Sequence, residues 1–225
     1  MSTSSPRRLP MRLVSLLTGL VLFGLSIALM VRAGLGLSSW DVLHQGVADR
    51  TGIPMGWVVN GTAVIVLLLW IPLRQRPGLG TVLNVVIVGL AVDAALTVLP
   101  TPSHLAVRAG LLVTGILLNA VATALYVGAG LGPGPRDGLM TGLAARGHSI
   151  RVARTAIEVV VLVGGWLLGG TVGVGTLAHA LTIGPLVHVL LPRLTTYRPA
   201  TPAIPVLESH PEEEPRHASP DRDRR

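Results

Sequence analysis

The chain has 225 residues, of which half are hydrophobic and only 13% are charged, with a mean hydropathy of +0.63. An ordinary soluble domain carries about a quarter charged residues, so this composition excludes that class and points to a membrane protein. The formal charge of +7 rests on eighteen arginines and no lysine, and one Phe and two Tyr supply no stacking platform for a basic groove, which excludes nucleic-acid binding.

Residues 1–12 form a short arm with Arg7, Arg8 and Arg12. The first apolar run, Leu13 to Val31, puts nineteen uncharged residues between Arg12 and Arg32. At about 1.5 Å per residue this crosses a hydrocarbon core of about 30 Å. It exceeds a secretory signal core, lacks an A-x-A-like site and has a counterpart in mid-chain, so it is expected to stay in the mature fold.

The stretch AGLGLSSWDVLHQGVADR follows, residues 33–50. Ser38 is a candidate N-cap with Asp41 three residues on, and Trp40, Leu43 and Val47 keep helical spacing. Thirteen residues from Ser38 to Arg50 make roughly 20 Å of helix, too short to span but suited to an interfacial or re-entrant piece.

Met55 to Leu73 is the second expected span, and about Leu79 to Leu99, containing Asp93, the third. Ala109 to about Gly128 is the fourth, followed by AGLGPGPRDGLMTGLAAR at 129–146, where Gly134 precedes Pro135 at a first helical position and Asp137 lies in the first turn. The fifth span covers about Thr155 to Gly169 with Glu158, and the sixth about Val174 to Leu191. From Arg198 the chain is rich in Pro and charge, and 198–225 is expected to be a disordered cytoplasmic tail.

Six spans with the N-terminus inside put Arg7, Arg8, Arg12, Arg74, Arg76, Arg136, Arg146, Arg151, Arg154 and Arg193 in the cytoplasm and only Arg32, Arg50 and Arg108 outside. That satisfies the positive-inside rule for a bacterial inner-membrane protein with both termini cytoplasmic. Trp57 and Trp166 fall at outer ends and Trp70 at an inner end, where an indole favours the headgroup level.

The two connectors are copies. Nine of their eighteen positions are identical, including Asp41 with Asp137 and Arg50 with Arg146, ninety-six residues apart. The likeness extends through Thr18 with Thr114 and Gly19 with Gly115, and after a one-residue shift GLGT at 78–81 meets GVGT at 173–176. Each half is a three-span unit, 13–100 and 109–192, and an odd number of spans makes the second enter from the opposite side. The expected fold is all-α: six transmembrane helices as two inverted three-helix repeats, each with a short interfacial or re-entrant helix.

Only five acids occur before residue 198: Asp41, Asp49, Asp93, Asp137 and Glu158. A helix N-terminus within the bilayer offers free N–H groups to a polar or anionic solute, so Ser38, Ser39, Asp41, Arg136 and Asp137 are candidate solute-binding residues. Asp93 and Glu158 lie within spans, where a carboxylate is a functional-site hypothesis by default. Asp93 aligns with His188, and these three are candidates for proton or ion coupling. A plain Arg154–Glu158 ion pair four residues apart is the structural alternative, and His179, Asn60, Asn84 and Asn119 are expected to bond between helices.

The motifs LGLSSWDVLHQG, RPGLGTVLN, GLGPGPRDGLM, VARTAIE and GWLLGGTVGVGT together resemble the YczE-like integral membrane proteins of bacteria, in the wider YczE/YyaS/YitT grouping, from Leu13 to Pro192. Ser39 stands where that pattern implies Pro. The resemblance implies a multi-pass bacterial membrane protein and no particular reaction. Inverted repeats and scarce membrane acids favour a small-solute carrier; the alternative is a non-transporting accessory or regulatory protein acting through a membrane partner or as a homo-oligomer. No HExxH, GxSxG, P-loop or dinucleotide pattern is present, so neither an enzyme nor a cofactor or metal is expected, and without cysteine there is no thiolate chemistry.

Overall fold

A computed structural model describes residues 9–147 and 149–197. Among these residues the regular structure is eight helices and no strand: α1 Leu9–Ala33, α2 Ser39–Thr51, α3 Met55–Leu73, α4 Leu79–Val98, α5 Leu105–Gly128, α6 Pro135–Ala144, α7 Ile150–Leu167 and α8 Val174–Leu194. The expected tail, 198–225, lies outside the described residues, as does most of the N-terminal arm.

The centre is the pair α1 and α5, flanked by α4 on α1 and α8 on α5. Small residues allow the close approach. A Cβ on Gly19 would lie 2.7 Å from the Tyr126 amide nitrogen, and one on Gly115 2.7 Å from Met30 Cγ. Leu16, Leu20, Phe23 and Ile27 fill the space between α1, α3, α4 and α5 with Val59, Val88, Val92 and Tyr126. Outside this group, α2 packs on α7 and α3, and α6 on α3 and α7.

Contacts recur at matched places in the two halves. Arg12 at the start of α1 donates to the Ala129 and Gly130 carbonyls past the end of α5 at 2.8 and 2.7 Å, and Arg108 near the start of α5 donates to Ala33 and Gly34 at the end of α1 at 2.7 and 2.8 Å. The last carbonyls of a helix lack intrahelical partners, and a cation there meets the negative end of the helix dipole. Reciprocal capping also requires α1 and α5 to run antiparallel. Likewise the Gly80 amide donates to Leu131 and the Gly175 amide to Leu35, both at 2.8 Å.

The elbows before α2 and α6 depend on glycine. Gly36 and Gly132 sit at φ of +118° and +128°, a region closed to L side chains. A Cβ on Gly36 would also meet the Thr176 amide nitrogen at 2.7 Å, and one on Gly132 the Gly78 Cα at 2.9 Å.

Five helices are long and apolar enough to cross a membrane: α1, α3, α4, α5 and α8. The exception, α7, carries Arg151, Arg154 and Glu158 within its eighteen residues; the expected fifth run is thus longer and more polar than its apolar segment. Its exposed hydrophobics, Val152, Val159, Val160, Val163, Trp166 and Leu167, fall on one side by helical spacing. Arg154 and Glu158 share the other side with Ile157 and Val161, which pack on the Trp40–Val66–Leu139 cluster, and with Gly165 against Leu43. Arg154 and Glu158 thus lie on the packed side of the helix and remain 53% and 36% exposed there.

Trp70 corrects an expectation. Its ring is 2% exposed and lies on Gly138, and its Nε1 donates to the Pro135 carbonyl at 3.0 Å. In the other half Gly165 stands at the Trp70 position and takes the backbone of Val42 and Leu43, so bulk on one helix is matched by glycine on its partner. Trp57 and Trp166 are exposed, at 65% and 62%.

Candidate functional site

The two short helices point their N-termini at one cleft. Its walls include Phe23 and Ile27 from α1, Val59, Thr62, Ala63 and Val66 from α3, Asn84 and Val88 from α4, Trp40, Asp41 and His44 from α2, and Pro135 and Arg136 from α6. It is partly open, and the cavity within it is small, about 40 Å³, room for a few water molecules or a polar group of that size. Phe23 and Val59 to Val66 come from the middle of long helices, so α2 and α6 reach the interior of the bundle and do not lie across its ends.

The first elbow is closed on itself. Ser38 is the N-cap of α2, its Oγ accepting from the Asp41 amide at 3.4 Å and donating to Asp41 Oδ2 at 2.5 Å. His44 Nδ1 lies 3.3 Å from Asp41 Oδ1. Both carboxyl oxygens of Asp41 are thus engaged, one by Ser38 and one by His44. Ser39 begins the helix beside it and is half-buried.

The second elbow is open. Gly134 is the N-cap of α6 with no side-chain cap, and Pro135 occupies the first position. Asp137 accepts from Tyr126 Oη at 2.8 Å, which turns its carboxylate toward α5. The Arg136 guanidinium lies over the rings of Phe23 and Trp40, 5.6 and 5.7 Å from their centroids, a cation–π arrangement. It makes no hydrogen bond or ion pair with any described residue. Trp40, 7% exposed, has its Nε1 donor buried and unpartnered.

The other candidates are spread out. Asp93 Oδ1 accepts from the Gly56 amide at 2.7 Å, capping α3, whose own N-cap residue, Pro54, has no side chain to do so. His188 is exposed on α8 and bonds to no described residue, so it does not meet Asp93. Glu158 pairs with Arg154 at 3.0 Å, with side-chain exposures of 36% and 53%. Asn60 accepts from the Gly89 amide at 3.0 Å and Asn119 donates to Ser26 at 2.8 Å, interhelical bonds as expected. Asn84 makes none and lines the cleft. His179 Nε2 is buried without a partner, within electrostatic reach of Asp41, Arg136, Glu158 and Arg154.

Sequence reasoning thus missed Trp40, His44, Asn84, His179 and Tyr126. A signal existed for one pair: Asn84 and His179 stand ninety-five residues apart, the register of the second part of the repeat, and both are polar positions on apolar helices.

An all-helical architecture with five long apolar helices and a polar cleft among them is that of a membrane protein. The chain belongs to the YczE-like membrane proteins, matching the family of unknown function DUF6198 over residues 10–192. It is similar to an uncharacterized protein of Haemophilus influenzae, 42% identical over 177 residues, which covers 78% of this chain and 81% of that one. It is 30% identical over 178 residues to the uncharacterized membrane protein YczE of Bacillus subtilis, covering 78% and 83%, and 28% identical over 181 residues to the uncharacterized protein YyaS of the same organism, covering 77% and 89%. No solved structure matches the chain.

Proposed function

We propose that this is a multi-pass protein of the bacterial inner membrane that carries a small polar solute through a site between two inverted halves. The observation that carries the reading is the convergence of α2 and α6, one short helix from each half, on a single cleft with Asp41 and Arg136 at their first turns. Reciprocal capping by Arg12 and Arg108, and the exchange of partners in which α2 packs on α7 and α6 on α3, support a twofold axis in the membrane plane. On this reading α7 is the sixth span, with Arg154 and Glu158 on its packed side, and the arginine distribution supports a cytoplasmic position for both termini.

The halves differ in one respect that suits alternating access. α3 packs along α4, and no comparable contact joins α7 to α8. Arg154 is exposed and Glu158 partly so, although they share a face with packed residues, and on this reading the gap they border admits water. Closing α7 on α8 while α3 parts from α4 would exchange the roles of the halves and the side from which the cleft is reached.

Uptake into vesicles reconstituted with the full chain tests this, using labelled acetate, glycine, ethylammonium and glycerol. At least one should enter faster than into protein-free vesicles, and Asp41→Asn should slow that flux about tenfold without loss of folded protein. Flux no faster than in protein-free vesicles for all four would reject the carrier reading; recovery of a stoichiometric membrane partner by crosslinking would then favour an accessory role.

A further inference from the structure

We infer that the cleft binds a small carboxylate anion, which completes the N-terminus of α6 and forms a bidentate pair with Arg136. The assignment rests on the carrier reading for the anion's passage across the membrane, and on the cleft alone for its binding.

The argument is an inventory of unmet hydrogen-bonding capacity. The two elbows are copies, yet only α2 supplies its own acceptors, Ser38 Oγ and the Asp41 carboxylate. In α6 the residue matching Ser38 is Gly134, which has no side chain, and Asp137 is drawn to Tyr126. After Pro135, which has no N–H, the Arg136 and Asp137 amides thus lack the capping oxygen that Ser38 provides to α2, while Asp137 in the first turn supplies the negative charge that meets the helix dipole. Arg136 adds a guanidinium held over Phe23 and Trp40 with its donors free. Trp40 adds a buried, unpartnered Nε1.

Acceptors in the same cleft are already committed. Both Asp41 oxygens are engaged by Ser38 and His44, so a cationic solute would have to displace bonds to find a partner, whereas an anion finds donors waiting. A planar carboxylate matches the guanidinium fork with two parallel N–H···O bonds. Asn84, which bonds to no other described residue, also lines the cleft. The apolar remainder, Ile27, Val59, Val66 and Val88, suits a short alkyl chain. An anion that meets Arg136, the Trp40 Nε1 and the α6 amides supplies acceptors that the protein itself does not provide there.

Calorimetric titration of the purified full-length protein with acetate and butyrate, and with acetamide, butyramide and ethylammonium at equal ionic strength, tests the assignment. The carboxylates should bind saturably and their neutral isosteres at least tenfold more weakly. Arg136→Gln should lower carboxylate affinity by at least tenfold and Arg136→Lys by several-fold. Trp40→Phe removes the orphan donor and part of the buried indole, so it should lower the melting temperature somewhat and, in the folded variant, weaken carboxylate binding. Amides binding as tightly as carboxylates, ethylammonium binding in their place, or undiminished affinity in folded Arg136→Gln would overturn it. Carboxylate binding without flux would leave this site standing and reject the carrier; flux of a cation or neutral solute without carboxylate binding would do the reverse.

Discussion

Asp93 is a membrane carboxylate occupied by a backbone amide. A helix whose N-cap is proline has no side-chain acceptor of its own, and the neighbouring helix α4 provides one to Gly56 at 2.7 Å. Asparagine can keep that bond and alanine cannot, which separates capping from proton transfer. Asp93→Ala should destabilise the protein by about 1–3 kcal/mol, the cost of an unsatisfied buried amide, and Asp93→Asn by well under half as much, read as shifts in thermal unfolding. If Asn instead abolished the pH dependence of transport while leaving stability intact, the residue would be a proton carrier. Asp93 was legible in the sequence as an expensive group needing a partner. That the partner was the Gly56 amide and not His188 was not legible, because only packing sets which helix faces α4.

At the scale of elements, reciprocal capping couples the halves. Arg12 and Arg108 each satisfy two orphan carbonyls at the end of the opposite helix, and hydrogen bonds involving a charged partner contribute about 1.5–3 kcal/mol. Arg12→Ala and Arg108→Ala should therefore destabilise by similar amounts, about 1–3 kcal/mol each, in thermal or denaturant unfolding. A large effect from one and none from the other would contradict the matched geometry. The starts of the short helices were legible, Ser38 as N-cap of α2 and Pro135 at the first position of α6, as was the end of α2 near Arg50, because caps are local chemistry. The depth to which they insert was not, since an amphipathic thirteen-residue segment reads alike on a surface or in a bundle. What decides it is the line of glycines, with Gly46 against Gly165 and Gly138 against Trp70, which lets both helices sink between α3 and α7.

For the whole molecule, the duplicated sequence carried most of the architecture, because each elbow with its long helix recurs at a fixed interval. It could not disclose the difference between the halves, α3 packed along α4 and no comparable contact between α7 and α8, since related motifs can adopt two packings of similar free energy. Nor did an apolar-run criterion recover the character of α7, whose Arg154 and Glu158 lie on the side that packs on α2 and α6. The central claim is that the halves are inverted about a shared cleft, and the absence of cysteine from the natural chain makes that directly measurable. Ile53 between α2 and α3 and Ser149 between α6 and α7 are matched exposed positions ninety-six residues apart. Introduced singly as Ile53→Cys and Ser149→Cys and probed in intact bacteria with a membrane-impermeant maleimide, position 53 should label at once and position 149 only after permeabilisation. Labelling of both from the same side would contradict the account.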